Sequence, residues 1–147
     1  MHTVSEVSLT YQSQTSFEQK PHITCPEEAH FFLRIIWDAG TIELREEFIV
    51  VLLSNAKRVL GWSKLSIGSP FATIVHPATV FQLALLGNAA SFIIAHNHTS
   101  GTLSASLADI ELTKRLVKAG KLFSISLDDH LILTRDHYLS FQDDGLL

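Results

Sequence analysis

The chain has 147 residues, 46% of them hydrophobic and 18% charged, which suits one compact domain with a real core and excludes a disordered segment. A formal charge of −4 argues against a free-standing, non-specific DNA binder, which needs a strongly basic face. One cysteine forms no internal disulfide, Met1–Gln14 has no apolar signal core, and no run approaches the about 18–20 apolar residues of a membrane span, so a soluble, cytoplasmic domain without membrane association is expected.

Residues 1–25 read as an N-terminal extension. Within it, Val4–Gln12 (VSEVSLTYQ) alternates as an edge strand does, and Ser13–Lys20 reads as a linker. Pro26–Glu27–Glu28 puts a proline and two acids at a helix start. Ala29, Phe31, Phe32, Ile35 and Ile36 give that helix an apolar stripe, which runs out near Gly40. Cys25, without a partner at ligand spacing, reads as a small residue at the helix start. Glu46–Ser54 (EEFIVVLLS) is near-continuously apolar, as in a strand buried on both faces. Asn55–Lys57 is a turn, Val59–Ile67 the hairpin partner, and Gly68–Ser69–Pro70 its end.

His76–Pro77 opens a second helix, with Val80, Phe81, Leu83, Ala84 and Leu85 at helical spacings and Gly87 close to its end. Ser91–Ala95 is a short buried strand that runs into His96–Asn97–His98 and a loop, Thr99–Ala105. A third helix spans Ser106–Ala119, with Ser106 as N-cap, Ile110, Thr113, Leu116 and Val117 inward, and Gly120 past the end. Ser124–Leu127 is apolar, Asp128–Asp129–His130 interrupts it, Leu131–Leu133 resumes as strand, and the tail from Gln142 reads as frayed. Trp37 and Trp62 read as core or interface anchors. The order predicts a single α/β domain, a mixed sheet flanked by helices.

His96 and His98 stand two apart just after a buried strand, so an extended path points both imidazoles to one face. Asp109 follows in the first turn of the next helix, which a strand–loop–helix unit can fold back beside the strand end. Two imidazoles, a carboxylate and one open position make the catalytic form of a zinc site. Each residue also has a plainer role. The His-x-His pair fits two polar surface residues, and Asp109 at N3 fits a capping box with Ser106. Asn97 and Gly101 read as ordinary loop residues. The combined spacing, His-x-His-x7-Ser-x2-Asp, favours the metal.

The stretch His96–Asp109 (HNHTSGTLSASLAD), followed by Ile110–Thr113 (IELT), resembles the signature of the RadC family, within the JAB/MPN superfamily of JAMM-type zinc metalloproteases. Arg45–Leu53 (REEFIVVLL), Ile74–Pro77 with Phe81, and Gly120–Phe141 with Asp129–His130 fall in the family's order, so the likeness covers about residues 30 to 142. It departs at Thr99 and Ala105, where the family usually has proline; neither position supplies a ligand. The longer members carry an N-terminal helix-hairpin-helix module, for which the residues before the likeness leave no room. The resemblance implies a cytidine-deaminase-like α/β JAB/MPN domain over residues 26–147. It also implies Zn2+ on His96, His98 and Asp109, a serine near the oxyanion, which maps to Ser106, and an upstream glutamate as general base.

For that glutamate the family pattern indicates Glu46, two residues before Phe48; alternation puts Glu47 on the other face, so the two are not equivalent. Asp129 and His130 are candidates to orient the zinc-bound imidazoles from behind, and equally fit a satisfied pair at a strand start. His76 reads as a helix-start residue, and His2, His22, His30 and His137 as surface. The function implied is a zinc-dependent hydrolase acting on a peptide or protein substrate. Two alternatives stand beside it: a DNA-repair-associated accessory protein with a structural zinc site, and a metal-dependent nuclease. Two-metal phosphodiester chemistry wants bridging carboxylates beyond Asp109 and one glutamate. The oligomeric state, a dimer included, is left open.

Overall fold

The computed structural model describes residues 4–8, 10–68 and 75–147. Ser69 and Pro70 of the expected hairpin end, and Ile74 before the second helix, lie outside them. Five strands form one mixed sheet: β1 (Glu47–Leu53), β2 (Val59–Ile67), β3 (Ser91–Asn97), β4 (Ser126–Leu133) and β5 (Tyr138–Ser140), in spatial order β2-β1-β3-β4-β5. All pairings are antiparallel except β3 with β4. The helices are α1 (Pro26–Ile36), α2 (Pro77–Leu86) and α3 (Leu107–Phe123).

Every residue of β1 and of β3 is buried, as continuous apolar runs in central strands require. Alternation divides their side chains between two cores. Ile49, Val51, Leu53, Ile93 and Ala95 face α1, which covers them with Ala29 and Leu33. Val50, Leu52, Phe92 and Ile94 face α2 and α3, which contribute Val80, Phe81, Ala84 and Leu116. The parallel β3–β4 pair needs a crossover connection, and α3 is that crossover.

Several sequence expectations need correction. The described residues of 4–12 form no strand, and Val4 and Val7 are 86% and 90% exposed, so no buried face offsets the cost of ordering them. The extension pairs later, where His22 bridges Arg58 and Ile23 N–H donates to the Lys57 carbonyl. On α1 the buried stripe is Ala29, Leu33 and Trp37, with Phe32 and Ile36 at its margin; Phe31 and Ile35 are exposed. Of the two tryptophans read as core or interface anchors, Trp37 is in the core and Trp62, 45% exposed, is not.

Helix α3 does not stop before Gly120. It runs to Phe123 and ends at Ser124, whose φ of 55° is left-handed. Gly120 serves close approach instead: a Cβ there would lie 2.2 Å from the Ile125 carbonyl oxygen. Asp128–His130 does not interrupt its strand either, because β4 is continuous through it. The tail is held, with Gln142 N–H on the Asp129 carboxylate and Leu146 N–H on the Phe141 carbonyl. His30 is half-buried, stacked on Tyr138 and accepting a hydrogen bond from Arg34 Nε.

Candidate metal centre

The centre lies at the C-terminal end of β3, on the face covered by α3. Strand β3 runs on through His96 and Asn97, and His98 N–H extends the parallel ladder to the Leu133 carbonyl at 2.9 Å. Both imidazoles therefore leave an ordered backbone on the same side. The crossover returns the chain so that the first turn of α3 sits beside them. Ser106 caps that helix: its hydroxyl accepts from Asp109 N–H, and the Asp109 carboxylate accepts from Ser106 N–H. Asp109 thus makes the capping box and is placed where a metal ligand would stand. Its Oδ2 caps the helix, while Oδ1 lies 3.2 Å from His96 Nε2.

His96 Nε2 is 3.0 Å from His98 Nε2, and His98 Nε2 is 3.7 Å from Asp109 Oδ2. Ligands at zinc distances in a tetrahedron stand about 3.3 Å apart, so these spacings fit one ion. The hydrogen bonds behind the rings add a stronger argument. Thr113 Oγ1 donates to the Asp109 carbonyl at 2.9 Å and so accepts from His130 Nδ1 at 2.7 Å. His130 Nε2 is then an acceptor, and His96 Nδ1 donates to it at 2.9 Å. His98 Nδ1 donates to the Thr102 carbonyl at 2.9 Å. Both Nε2 atoms are left with lone pairs, aimed at each other and at a carboxylate, an arrangement that a cation satisfies.

The electrostatics agree. Burial opposes the Asp109 charge, but the His96 and His98 imidazoles beside it and the Ser106 hydroxyl outweigh it and hold the carboxyl far below its ordinary range. The neighbouring Asp109 carboxylate raises His98 against the opposing effect of burial. His130, fully buried and beside His96, is pushed well below the ordinary histidine value, so it is neutral as its acceptor role requires. Phe141 stacks on its ring with centroids 4.3 Å apart.

A cleft of about 480 Å³ opens over these atoms. Glu46 lines it together with Phe48, His96, His98, Ser106 and Asp109, and Ser100, Thr102 and Ser104 add hydroxyls from the loop. No lysine or arginine is among the described residues lining it. Glu47 points the other way, fully buried, with its carboxylate 2.7 Å from Lys64 Nζ and 3.0 Å from Arg45 Nε. Asp129 also lies away from the centre. Its carboxylate accepts from Ser140 Oγ at 2.6 Å and from the amides of His130 and Gln142. Strand alternation separates it from His130, which alone of the pair reaches a ligand.

Two residues that sequence reasoning passed over also belong here. Thr113, read only as inward-facing, ends the chain of bonds behind His96; a hydroxyl four residues after Asp109 on the same helix was the available signal. Asn97, read as loop, is wholly buried.

The family model described as RadC-like JAB domain matches residues 23–146. The chain belongs to this family. It is 42% identical over 130 residues to a UPF0758 protein of Methanosarcina barkeri and 37% identical over 130 residues to one of Methanosarcina mazei, in each case covering 88% of this chain and 56% of the relative. A UPF0758 protein of Geobacillus thermodenitrificans is 34% identical over 132 residues, which cover 90% of this chain and 57% of the relative. The chain thus spans a little over half the length of these relatives.

Proposed function

We propose that this domain is a zinc-dependent hydrolase of the JAMM type, acting on peptide or isopeptide bonds. The observation that carries the reading is the convergence of three lone-pair donors, His96 Nε2, His98 Nε2 and an Asp109 oxygen, in a cleft that Glu46 also lines. A zinc ion held by these residues supplies Lewis acidity and brings the pKa of water down to about 7. Glu46 takes the proton of the attacking water and returns it to the leaving amine, the work of a positioned carboxylate. Ser106 turns its hydroxyl from Asp109 Oδ2, 2.7 Å away, toward the oxygen on which negative charge develops. His130 and Thr113 keep the His96 proton on Nδ1 throughout.

The absence of lysine and arginine from the described cleft lining favours a neutral amide over a phosphodiester, which weakens the nuclease reading. One observation favours the accessory reading instead. Lys114, Arg115, Lys118 and Lys121 are exposed on α3, a cationic stripe in a chain of net charge −4. At about 1.5 Å per residue the stripe runs along α3 from about 7.5 Å to about 18 Å beyond Asp109, so it leads away from the cleft. Salt-dependent DNA binding lost in Lys118→Glu with unchanged zinc content supports that role.

The deciding experiment for the main reading pairs metal analysis with peptide and isopeptide cleavage for wild type, His98→Ala and Glu46→Gln. Zinc near stoichiometric in wild type and Glu46→Gln but lost in His98→Ala, with chelator-sensitive cleavage lost in both variants, is the expected result. Wild-type protein without zinc after exposure to it refutes the reading.

A further inference from the structure

The side chain between the two histidines works on the opposite face of β3. Asn97 Nδ2 donates to the Ile42 carbonyl at 2.7 Å and the Arg45 carbonyl at 2.9 Å, and Oδ1 accepts from Glu47 N–H at 2.7 Å. Carbonyls only accept and amides only donate, so these partners fix which way the side-chain amide points. Arg45 and Glu47 are the two neighbours of Glu46. The β1–β3 register ends at the pair Phe48–His96, so the ladder itself gives the preceding residues no hold on β3. Asn97 takes over where the ladder stops. From the other side, Gly68 N–H donates to the Glu46 carbonyl at 2.8 Å.

We propose that Asn97 is a positioning residue that sets Glu46 against the His96–His98–Asp109 ligands, so that the strand carrying two ligands also fixes the group handling the proton. The proposal rests on the role given to Glu46 under Proposed function. The chemistry of the position is restrictive. It needs two donors and one acceptor within a short reach, which asparagine supplies. Aspartate has no donor and would set a charge against two carbonyl oxygens; glutamine is a methylene too long; alanine takes the partner from three backbone groups, two of them in buried hydrogen bonds. Because the hold is on the backbone on both sides of Glu46, its loss moves the carboxylate without touching a ligand, and a displacement of about 1 Å lowers a rate by about 100-fold.

The test uses cobalt(II) as the metal, since its d–d absorption reports the ligand field and the groups hydrogen-bonded at its open position. Wild type, Glu46→Gln, Asn97→Asp, Asn97→Ala and the Glu46→Gln/Asn97→Asp double variant are compared. Asn97 variants should keep their cobalt affinity within the about 10-fold loss that marks a disturbed ligand shell. Their spectra should shift as that of Glu46→Gln does, and the double variant should shift no further. Asn97 variants with the wild-type spectrum beside a shifted Glu46→Gln overturn the proposal and leave the metal reading intact. An unshifted Glu46→Gln spectrum overturns it together with the role of Glu46, and wild type that binds no cobalt overturns the metal reading as well. Should neither Asn97 variant fold, exchange of the Glu47 amide in wild type decides: slowing of about 100-fold or more relative to an open loop supports the clamp, and open-loop exchange refutes it.

Discussion

Single atoms decide what the centre does, and the most informative of them lie one bond behind the ligands. The Thr113 hydroxyl holds no ligand, yet it fixes the proton on His130 and, through it, the lone pair of His96. Thr113→Val keeps the shape and removes the hydroxyl, so zinc affinity should fall about 10- to 100-fold in competition titrations against a chelator. Glu47 yields a different expectation. Burial would raise its pKa, but the hydrogen bonds and charges of Lys64 and Arg45 outweigh that and lower it. A carboxyl depressed in the folded state stabilises the fold above its unfolded value of about 4.3 and loses that contribution as pH falls through the folded one. Urea midpoints of wild type should therefore drop more steeply below about pH 4.5 than those of Glu47→Gln. The grouping of His96, His98 and Asp109 was legible from their combined spacing and the family resemblance, since either the histidine pair or the aspartate alone also fits a plainer role. Asn97 and Thr113 were not, because their value comes from partners far away in sequence, Ile42, Arg45 and His130, which no local pattern announces.

Element by element, sequence periodicity located all three helices and β1–β4 and was weakest at their ends. The glycine near the end of α2 does cap it, whereas Gly120 sits inside α3 because the chain just beyond the helix presses against it. A glycine that stops a helix and one that admits a neighbouring carbonyl look alike in a sequence. They differ in the response to substitution: Gly120→Ala should destabilise the domain by about 1–3 kcal/mol through overpacking, read from its denaturation midpoint. Helix α1 offers a second contrast. Leu33 is fully buried and Phe31 is 69% exposed. Leu33→Ala should cost about 2–5 kcal/mol, and Phe31→Ala should stay within about 0.5 kcal/mol of wild type in the same assay. The apolar stripe first read on α1 mixed the two faces, since Phe31 and Ile35 share a turn with buried neighbours but not a direction. Strand β5, three residues long, was too short to carry a period.

Across the whole molecule, one sheet with cores on both faces sets the scale of the design. The alternation that feeds two cores also sorts the polar residues at the end of β3: His96 and His98 to the α3 side, Asn97 to the other. No helix of the described residues is long and apolar enough to cross a membrane. The candidate ligands come from separate elements, so an ion held there would tie β3 to α3 and bind only the assembled fold. Zinc at 100 times its dissociation constant should accordingly add about 2.7 kcal/mol to stability, visible as a higher Tm that a chelator reverses. The segment between His98 and Ser106 stands apart from this rigidity. It contributes hydroxyls to the cleft wall but no ligand, and it joins two elements that are anchored independently, β3 by its ladders and α3 by its capping box and packing. Its length is set by the seven-residue spacing between His98 and Ser106 and by the Thr102 carbonyl that accepts from His98 Nδ1, so what it can vary is the side chains that line the cleft at positions 100, 102 and 104. Relatives that keep His96, His98 and Asp109 but admit different molecules to the cleft are expected to differ at these three positions first.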